Sequence, residues 1–287
     1  MPQAQSASAA TVRLLVLGKR LRELREAAGR SLEDAATALS VSVLAIRRIE
    51  QGQVKWKMPY IKVLLEEYGV DGDEARTFLT MAAEANQPGW WYRYRDVLPD
   101  WFRAFISLEE EASLIRAYEP HYVPGLMQSE DYARTVLRAG LRDADEIDRR
   151  VALRMQRQRT LLQPGGTDLW AVIDETVLRR PVVPPEVMQG QIDHLIELTE
   201  LPNVNLQVIP FALCVHEAMY GPFYVFRFPF PELQDIVYTE NVAGSGYVDQ
   251  ADDVAAFIEA LDKISAQAPP PQRTEALLTE IRKEMRS

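Results

Sequence analysis

The chain has 287 residues, of which 47% are hydrophobic and 26% are charged, a composition typical of a globular protein long enough for two hydrophobic cores. No apolar run approaches the roughly 20 residues that a membrane-spanning helix needs, so we predict no membrane segment. The only cysteine, Cys214, excludes an internal disulfide framework and fits a reducing compartment, from which we predict a cytoplasmic protein.

The net charge of −10 is divided unevenly along the sequence. Residues 1–60 carry a net charge of +5, and the remaining 227 residues carry −15. A small basic segment followed by a large acidic one indicates that only the N-terminal segment approaches a polyanion such as DNA. The alternative is that the charge is uneven by chance, and the charge distribution alone does not distinguish these two explanations.

The N-terminal segment predicts a leader followed by a first helix. Residues 1–12 are rich in alanine and serine and lack a long apolar core, so we interpret them as a disordered leader and not as a signal peptide. Apolar residues at positions 14, 17, 21 and 24 share one helix face. Gly29 then supplies a stop for this helix.

Four more helices are predicted in the N-terminal domain, over residues 13–87. Ser31, with Asp34 three residues later, starts a second helix that ends near Leu39. Ser42 caps a third helix, and Gly52 ends it. The fourth and fifth helices are predicted over residues 59–68 and 73–85.

The second and third helices are short, are joined by a three-residue turn and are flanked by basic segments, which is typical of a helix-turn-helix. With about 100° of rotation per residue, Ile46 and Ile49 point into the core. The outward positions are then Leu44, Arg47, Arg48 and Gln51. Glu50 falls near the inward side, where a carboxylate needs a cationic partner.

The stretch SLEDAATALSVSVLAIRRIEQG resembles the Xre/Cro-type helix-turn-helix, whose typical members read Ser-Gln-x-x-Leu-Ala-x-x-Leu-Gly-Val-Ser and continue to Ile-x-x-Ile-Glu-x-Gly. The matching positions are Ser31, Ala36, Leu39, Val41, Ser42, Ile46, Ile49, Glu50 and Gly52. The resemblance implies a structural ion pair between Arg25 and Glu50. It also implies that base-reading side chains stand at Val43, Leu44 and Arg48.

The motif departs from the family pattern at functional positions. The glutamine that commonly binds phosphate is Leu32 here, and the turn glycine is Ser40. Val43 and Leu44 cannot donate to base edges, but both can contact thymine methyl groups. We therefore expect base reading to depend on Arg48 and also Arg47, which suit guanine. Phosphate contacts are predicted for Ser42, Gln51, Lys55 and Lys57.

The rest of the chain predicts an aromatic junction over residues 88–106 and an α+β domain over residues 107–287. A helix is expected from Ser107, with Glu110 in a capping box, to just before Pro120. The further predicted helices are 129–140, 143–162, 185–200, 251–265 and 273–286. The predicted strands are 169–174, 205–211, 223–228 and 235–240. The fold class is thus an N-terminal all-α five-helix Xre-type domain plus a C-terminal α+β domain.

Four blocks of the C-terminal domain carry a second resemblance: EASLIRAYEPHYVPGLMQSEDYAR, IDETVLRRPV, LPNVNLQVIPF and DIVYTENVAG. They are similar to a large actinobacterial family of regulators with an Xre-type head, often called Scr-type antitoxin-like or developmental regulators. The resemblance implies a small companion protein encoded beside the regulator. It carries over no ligand and no catalytic residue.

No catalytic or metal-binding set emerges from the sequence. The three histidines are His121, His194 and His216, and the last lacks the HExxH spacing. Cys214 and His216 supply only two ligands, fewer than a zinc site generally needs. The acidic run 109–111 suits Mg²⁺, but at a helix start it more often serves the dipole. We predict no enzyme, no metal and no cofactor.

These observations predict a homodimeric transcriptional regulator that reads a palindromic operator in double-stranded DNA. A single recognition helix buries little surface, so helix-turn-helix domains normally bind DNA as pairs. The C-terminal domain then binds either a small partner protein or a small-molecule effector. The alternative is an antitoxin-like interaction module whose helix-turn-helix no longer reads DNA.

Overall fold

The computed structural model describes residues 12–87, 89–163, 165–213, 216–229, 233–242 and 244–285. The described chain forms two compact units. We call them the head, which extends to Glu111, and the body, formed by Ala112–Pro229 and the chain from Gln234 onward. The predicted leader lies outside the described residues apart from Val12, where the first helix begins. Within those ranges no helix is both long and apolar enough to cross a membrane.

The head is helical throughout its described residues. Its helices are α1 (Val12–Ala27), α2 (Leu32–Leu39), α3 (Val43–Glu50), α4 (Met58–Glu67), α5 (Gly72–Ala85) and α6 (Asp100–Glu111). A 3₁₀ turn at Trp90–Tyr94 precedes α6. The first five helices confirm the predicted five-helix domain, and their apolar faces share one core that contains Leu21, Ile46, Ile61 and Leu64.

The first four helices of the head end in the same way. Each is followed by a residue with positive φ: Gly29 (67°), Ser40 (52°), Gly52 (62°) and Gly69 (73°). The N–H of the next residue then donates to a carbonyl five residues earlier, from Arg30 to Arg25, Val41 to Ala36, Gln53 to Arg48 and Val70 to Leu65. These Schellman-type ends satisfy carbonyls that the helix leaves unpaired.

The body combines one sheet with helices, which confirms the predicted α+β class. Its strands are β1 (Leu114–Glu119), β2 (Asp168–Asp174), β3 (Val204–Ile209), β4 (Phe223–Arg227), β5 (Ile236–Asn241) and β6 (Gly244–Val248). Its helices are α7 (Glu130–Gly140), α8 (Ala144–Arg157), α9 (Arg159–Leu162), α10 (Thr176–Arg179), α11 (Pro185–Thr199), α12 (Ala251–Gln267) and α13 (Thr274–Glu284). Two 3₁₀ turns lie at Gly125–Met127 and Pro271–Arg273.

The strands form a mixed sheet in the order β3-β2-β1-β4-β5-β6. β1, β2 and β3 run parallel, whereas β4, β5 and β6 are added as an antiparallel meander. The alternation in β4 is as expected, because Phe223 and Val225 share a core with α12, and Tyr224 and Phe226 lie on the other face. The carboxyl ends of β1, β2, β3 and β5 therefore share one end of the sheet with the start of β4.

The helix predicted from Ser107 to Pro120 is wrong. α6 begins earlier and ends at Glu111, so Ser107 is buried inside it and caps nothing. Residues 109–111 therefore stand in the last turn of a helix and not in its first. The following segment, Leu114–Glu119, is the central strand β1, which pairs with both β2 and β4. Strand β6 was also absent from the prediction.

Candidate nucleic-acid interface

The start of the helix-turn-helix is built by serine caps. The Ser31 hydroxyl accepts from the Asp34 N–H at 3.0 Å, and the Asp34 carboxylate accepts from the Ser31 N–H at 2.8 Å. That backbone hydrogen bond lowers the pKa of Asp34. The Ser42 hydroxyl accepts from the Ala45 N–H at 3.2 Å and so fixes the first turn of α3.

The two faces of α3 are sharply different. Ile46, Ile49 and Glu50 are buried, and Val43 is half-buried against the head core. The exposed positions are Leu44, Arg47 and Arg48, followed by Gln51 at the helix end. Their spacing of three, one and three residues places all four on one stripe of the helix. Leu44 is 57% exposed, the most exposed large apolar side chain among the described residues of the head.

A buried ion pair holds the end of α3. Arg25 on α1 donates to both carboxylate oxygens of Glu50, at 2.7 and 3.1 Å, and also to the Arg30 carbonyl at 2.9 Å. The hydrogen bonds to Glu50 raise the pKa of Arg25 above its ordinary value. Burial raises the pKa of the nearby Tyr68 hydroxyl. This is the pair that the Xre resemblance implies, and it removes the only carboxylate of α3 from the exposed face.

Two glycines let α1 approach α3 closely. A Cβ atom on Gly18 would collide with the Glu50 carbonyl oxygen. A Cβ atom on Gly52 would lie 2.7 Å from the Leu14 carbonyl carbon and the Leu15 nitrogen. The close contact of the two backbones, together with the ion pair, fixes the orientation of α3 relative to α1.

The segment after α3 is anchored by Trp56. Its indole N–H donates to the Ile49 carbonyl at 3.2 Å, and its ring stacks on Phe78 at 5.9 Å. The Asn86 amide accepts from the Trp56 N–H at 2.9 Å and donates to the Trp56 carbonyl at 2.8 Å. Because Trp56 is buried, its neighbours Lys55 and Lys57 are exposed beside the C-terminal end of α3.

Two sets of basic side chains in the head differ in their partners. Arginines on α1, α5 and the loop before α2 pair with carboxylates: Arg13 with Glu111, Arg20 with Glu74, Arg22 with Glu26, Arg30 with Glu67 and Arg76 with Asp73. Arg47, Arg48, Lys55 and Lys57 have no carboxylate partner among the described residues. Lys55 instead donates to the Asn86 carbonyl at 3.3 Å, and Lys57 lies 5.1 Å from the Tyr60 ring centre.

The fold brings together most of the predicted contact residues. Leu44, Arg47, Arg48 and Gln51 lie on one stripe, Ser42 stands at the start of α3, and Lys55 and Lys57 lie just after its end. Val43 stands apart, because part of its surface is used in the core. The sequence analysis missed Asn86 and Gly18. The only local signals for them are a helix-ending asparagine and a glycine inside a helical pattern.

No group of three or more histidine, cysteine, aspartate or glutamate side chains with metal-binding geometry occurs in the described ranges. Cys214, considered above with His216, lies outside those ranges. His216 is buried and faces Tyr118, with its Nε2 3.5 Å from the tyrosine hydroxyl.

Two family models match the chain. Residues 16–78 match a helix-turn-helix domain, which confirms that prediction, and residues 102–280 match a domain of unknown function, DUF5753. No curated protein and no solved structure matches. Because the second model covers more than half of the sequence, the chain belongs to the DUF5753 family, with a helix-turn-helix domain in its N-terminal part.

Proposed function

We propose that this protein is a transcriptional regulator whose head binds double-stranded DNA in a sequence-specific way through α3. The observation that carries the proposal is the distribution of unpaired positive charge in the head. Arg47, Arg48, Lys55 and Lys57 are exposed and lack carboxylate partners, whereas the arginines of α1, α5 and the loop before α2 are paired with carboxylates. Counterion release on contact with phosphates makes such a surface favourable for DNA.

In this proposal the stripe on α3 faces the major groove. Arg48, and with it Arg47, donates to guanine O6 and N7, while Leu44 contacts a thymine methyl group. Val43 contributes only the part of its surface that the core leaves open. Ser42, Gln51, Lys55 and Lys57 contact phosphates on either side and so fix the register of the helix.

The proposal includes a homodimer on a palindromic operator. An eight-residue recognition helix offers few base contacts, so tight binding requires two copies on half-sites about 34–36 Å apart. It also includes a cytoplasmic location, no catalytic role and membership of the actinobacterial Xre-type regulators that the sequence resembles. The body would then receive the regulatory signal, from a small companion protein or from an effector.

Selection of duplexes from a random pool, followed by fluorescence anisotropy at several salt concentrations, tests DNA reading directly. We expect a palindromic consensus. Affinity should fall with salt at a log–log slope of about −0.9 per phosphate contacted. Lys57→Ala should make that slope shallower by about one phosphate per half-site, or about two for the dimer, without changing the preferred sequence.

Arg48→Ala should weaken binding by about 1–3 kcal/mol per half-site, roughly 5- to 150-fold for each, and relax preference at one position of each half-site. The matched control is Arg76→Ala, which removes an exposed arginine of α5 that is paired with Asp73. That control should leave DNA affinity within about twofold.

The opposing explanation is that Arg47 and Arg48 serve only the dipole at the C-terminal end of α3. In that case Arg48→Ala lowers stability by a few tenths of a kcal/mol and leaves DNA binding untouched. Absence of any enriched sequence would contradict the proposal and favour the antitoxin-like interaction module.

A further inference from the structure

The body exposes large apolar side chains mainly at one end of its sheet. The described body has six large exposed apolar residues, Tyr122, Leu162, Phe211, Met219, Tyr220 and Val242. Five of them belong to connections at the carboxyl end of β1: Tyr122 follows β1, Phe211 follows β3, Met219 and Tyr220 precede β4, and Val242 follows β5. We call these five residues the sheet-end cluster. Leu162 precedes β2 and so lies toward the opposite end.

The connection between β3 and β4 is fastened to the body, so its apolar side chains are held outward. The Phe211 N–H donates to the buried Glu175 carboxylate at 2.9 Å. His216 packs edge-on against Tyr118 with ring centres 5.5 Å apart, and Ala218 is buried in the core shared with α12. The next two residues, Met219 and Tyr220, are 59% and 99% exposed. Their exposure therefore follows from an anchored backbone.

The cluster is large for a surface that meets only water. Adjacent strands are about 4.8 Å apart, so the ends of β3 and β5, four strands apart in the sheet, span about 20 Å. Three aromatic residues, a methionine and a valine at these exposures present on the order of 600 Å² of largely apolar surface. The largest exposed apolar patch of a monomeric protein is typically about 300–600 Å², so the summed area of these five residues is at the upper end of that range. A stable protein interface buries about 800 Å² per partner.

We infer that the sheet-end cluster is the surface through which two copies of this chain associate. The inference rests on the proposed function, which requires two heads on one operator. The area of the cluster is close to what one side of a stable dimer contributes, and a two-fold axis through it would set each cluster against its counterpart. Tyr220, as the most exposed aromatic side chain of the five, would be the central anchor.

The edges of the sheet are the other surfaces through which two bodies could pair. The β3 edge is covered, because the Thr274 hydroxyl donates to the Leu206 carbonyl at 2.5 Å. The β6 edge pairs with no further strand among the described residues, but it is only five residues long and contains Gly244 and Gly246. A short glycine-rich strand is a poor template for pairing. The sheet-end cluster is therefore the better interface.

The test is the mass of the full-length protein without DNA, measured by sedimentation velocity across micromolar concentrations. We expect a dimer for the unmodified chain. Tyr220→Glu and Val242→Glu each place two carboxylates across the two-fold axis and should weaken association roughly 30-fold or more. Leu162→Glu is the matched control, since Leu162 is 62% exposed but outside the cluster, and should remain dimeric. Circular dichroism checks that all three variants stay folded.

Each other outcome overturns the inference. A monomeric unmodified chain would mean that the cluster does not pair two copies. A dimer that survives both glutamate substitutions would place the interface elsewhere, with the β6 edge as the next candidate. Binding to a single half-site duplex separates this result from the proposed function. If the Tyr220→Glu variant binds the half-site duplex with unchanged affinity and loses only the higher affinity for the palindromic duplex, both the head and the interface act as described.

Discussion

The head and the body each shield a glutamate from solvent, Glu50 fully and Glu119 in part, but they stabilise it in different protonation states. In the head, Glu50 receives two hydrogen bonds from Arg25, so the carboxylate is buried as an ion pair. In the body, Glu119 at the end of β1 accepts one hydrogen bond, from the Tyr224 hydroxyl at 2.7 Å. Burial raises the pKa of Glu119 to about 7, and the hydrogen bond from Tyr224 opposes that rise only in part. The ion pair of the head thus favours the ionised form of Glu50, whereas burial in the body favours the protonated form of Glu119.

The largest expected effect is at the ion pair of the head. Glu50→Ala leaves the Arg25 guanidinium buried without its carboxylate, which should lower the free energy of unfolding by about 3–5 kcal/mol. Urea denaturation followed by circular dichroism measures the loss. The double variant Arg25→Met/Glu50→Leu removes both charges and should recover most of the stability. If Glu50→Ala costs less than about 1 kcal/mol, the pair contributes no more than an exposed ion pair.

The stability of the body should depend on pH through Glu119. The folded state holds the proton of Glu119 more tightly than the unfolded chain does, so this contribution to stability is complete below the ordinary pKa of 4.5 and is lost as the pH rises from there through about 7. The loss amounts to at most about 3 kcal/mol. Glu119→Gln keeps an oxygen acceptor for Tyr224 and cannot ionise. The substitution should abolish this loss of stability. The variant should therefore be more stable than the unmodified chain at pH 8 but not at pH 5.

A matched control for this prediction lies on β5. Glu240 accepts a hydrogen bond from the Tyr238 hydroxyl at 2.6 Å, but its side chain is exposed. The Glu240 carboxylate raises the pKa of Glu119 less than burial does, so Glu240→Gln should reduce the pH dependence only slightly. Urea midpoints at pH 5 and pH 8 for the two variants give the comparison. Equal pH dependence in Glu119→Gln and the unmodified chain would show that Glu119 is not the titrating group.

The same contrast explains which parts of the fold could be predicted from the sequence. The head is assembled from local signals: serine caps at Ser31 and Ser42, glycine stops at Gly29 and Gly52, and an apolar face with helical spacing. Each signal involves residues at most five positions apart, so its outcome depends little on the rest of the chain. The outward stripe of α3 followed from the same spacing. The anchoring of Trp56 by Asn86, 30 residues later, could not be predicted, because a helix-ending asparagine does not indicate a distant partner.

The body depends on pairing between distant segments, and there the prediction failed. The segment Leu114–Glu119 contains no glycine or proline and follows a helix-like run, so local preference extended the helix to Pro120. Pairing with β2, more than 50 residues later, and with β4, more than 100 residues later, instead makes it the central strand. Tertiary pairing overrides local preference in such cases. Five-residue β6, with two glycines, has little strand preference of its own and depends on β5.

Substitutions at the helix ends of the head should have the smallest effect on the free energy of unfolding. Ser40 is the only described residue other than glycine with positive φ, at 52°, and it occupies the position that glycine holds after α1, α3 and α4. A Cβ atom is disfavoured in this conformation, so Ser40→Gly should raise the free energy of unfolding by about 0.5–1 kcal/mol despite the added freedom of the unfolded chain. The reverse change, Gly29→Ala, introduces a Cβ at φ 67° with no atom within 4 Å, and should cost a similar amount. Thermal unfolding of the two variants distinguishes backbone strain from other roles of the turn. A loss of stability in Ser40→Gly would mean that the serine side chain contributes more than its backbone conformation costs.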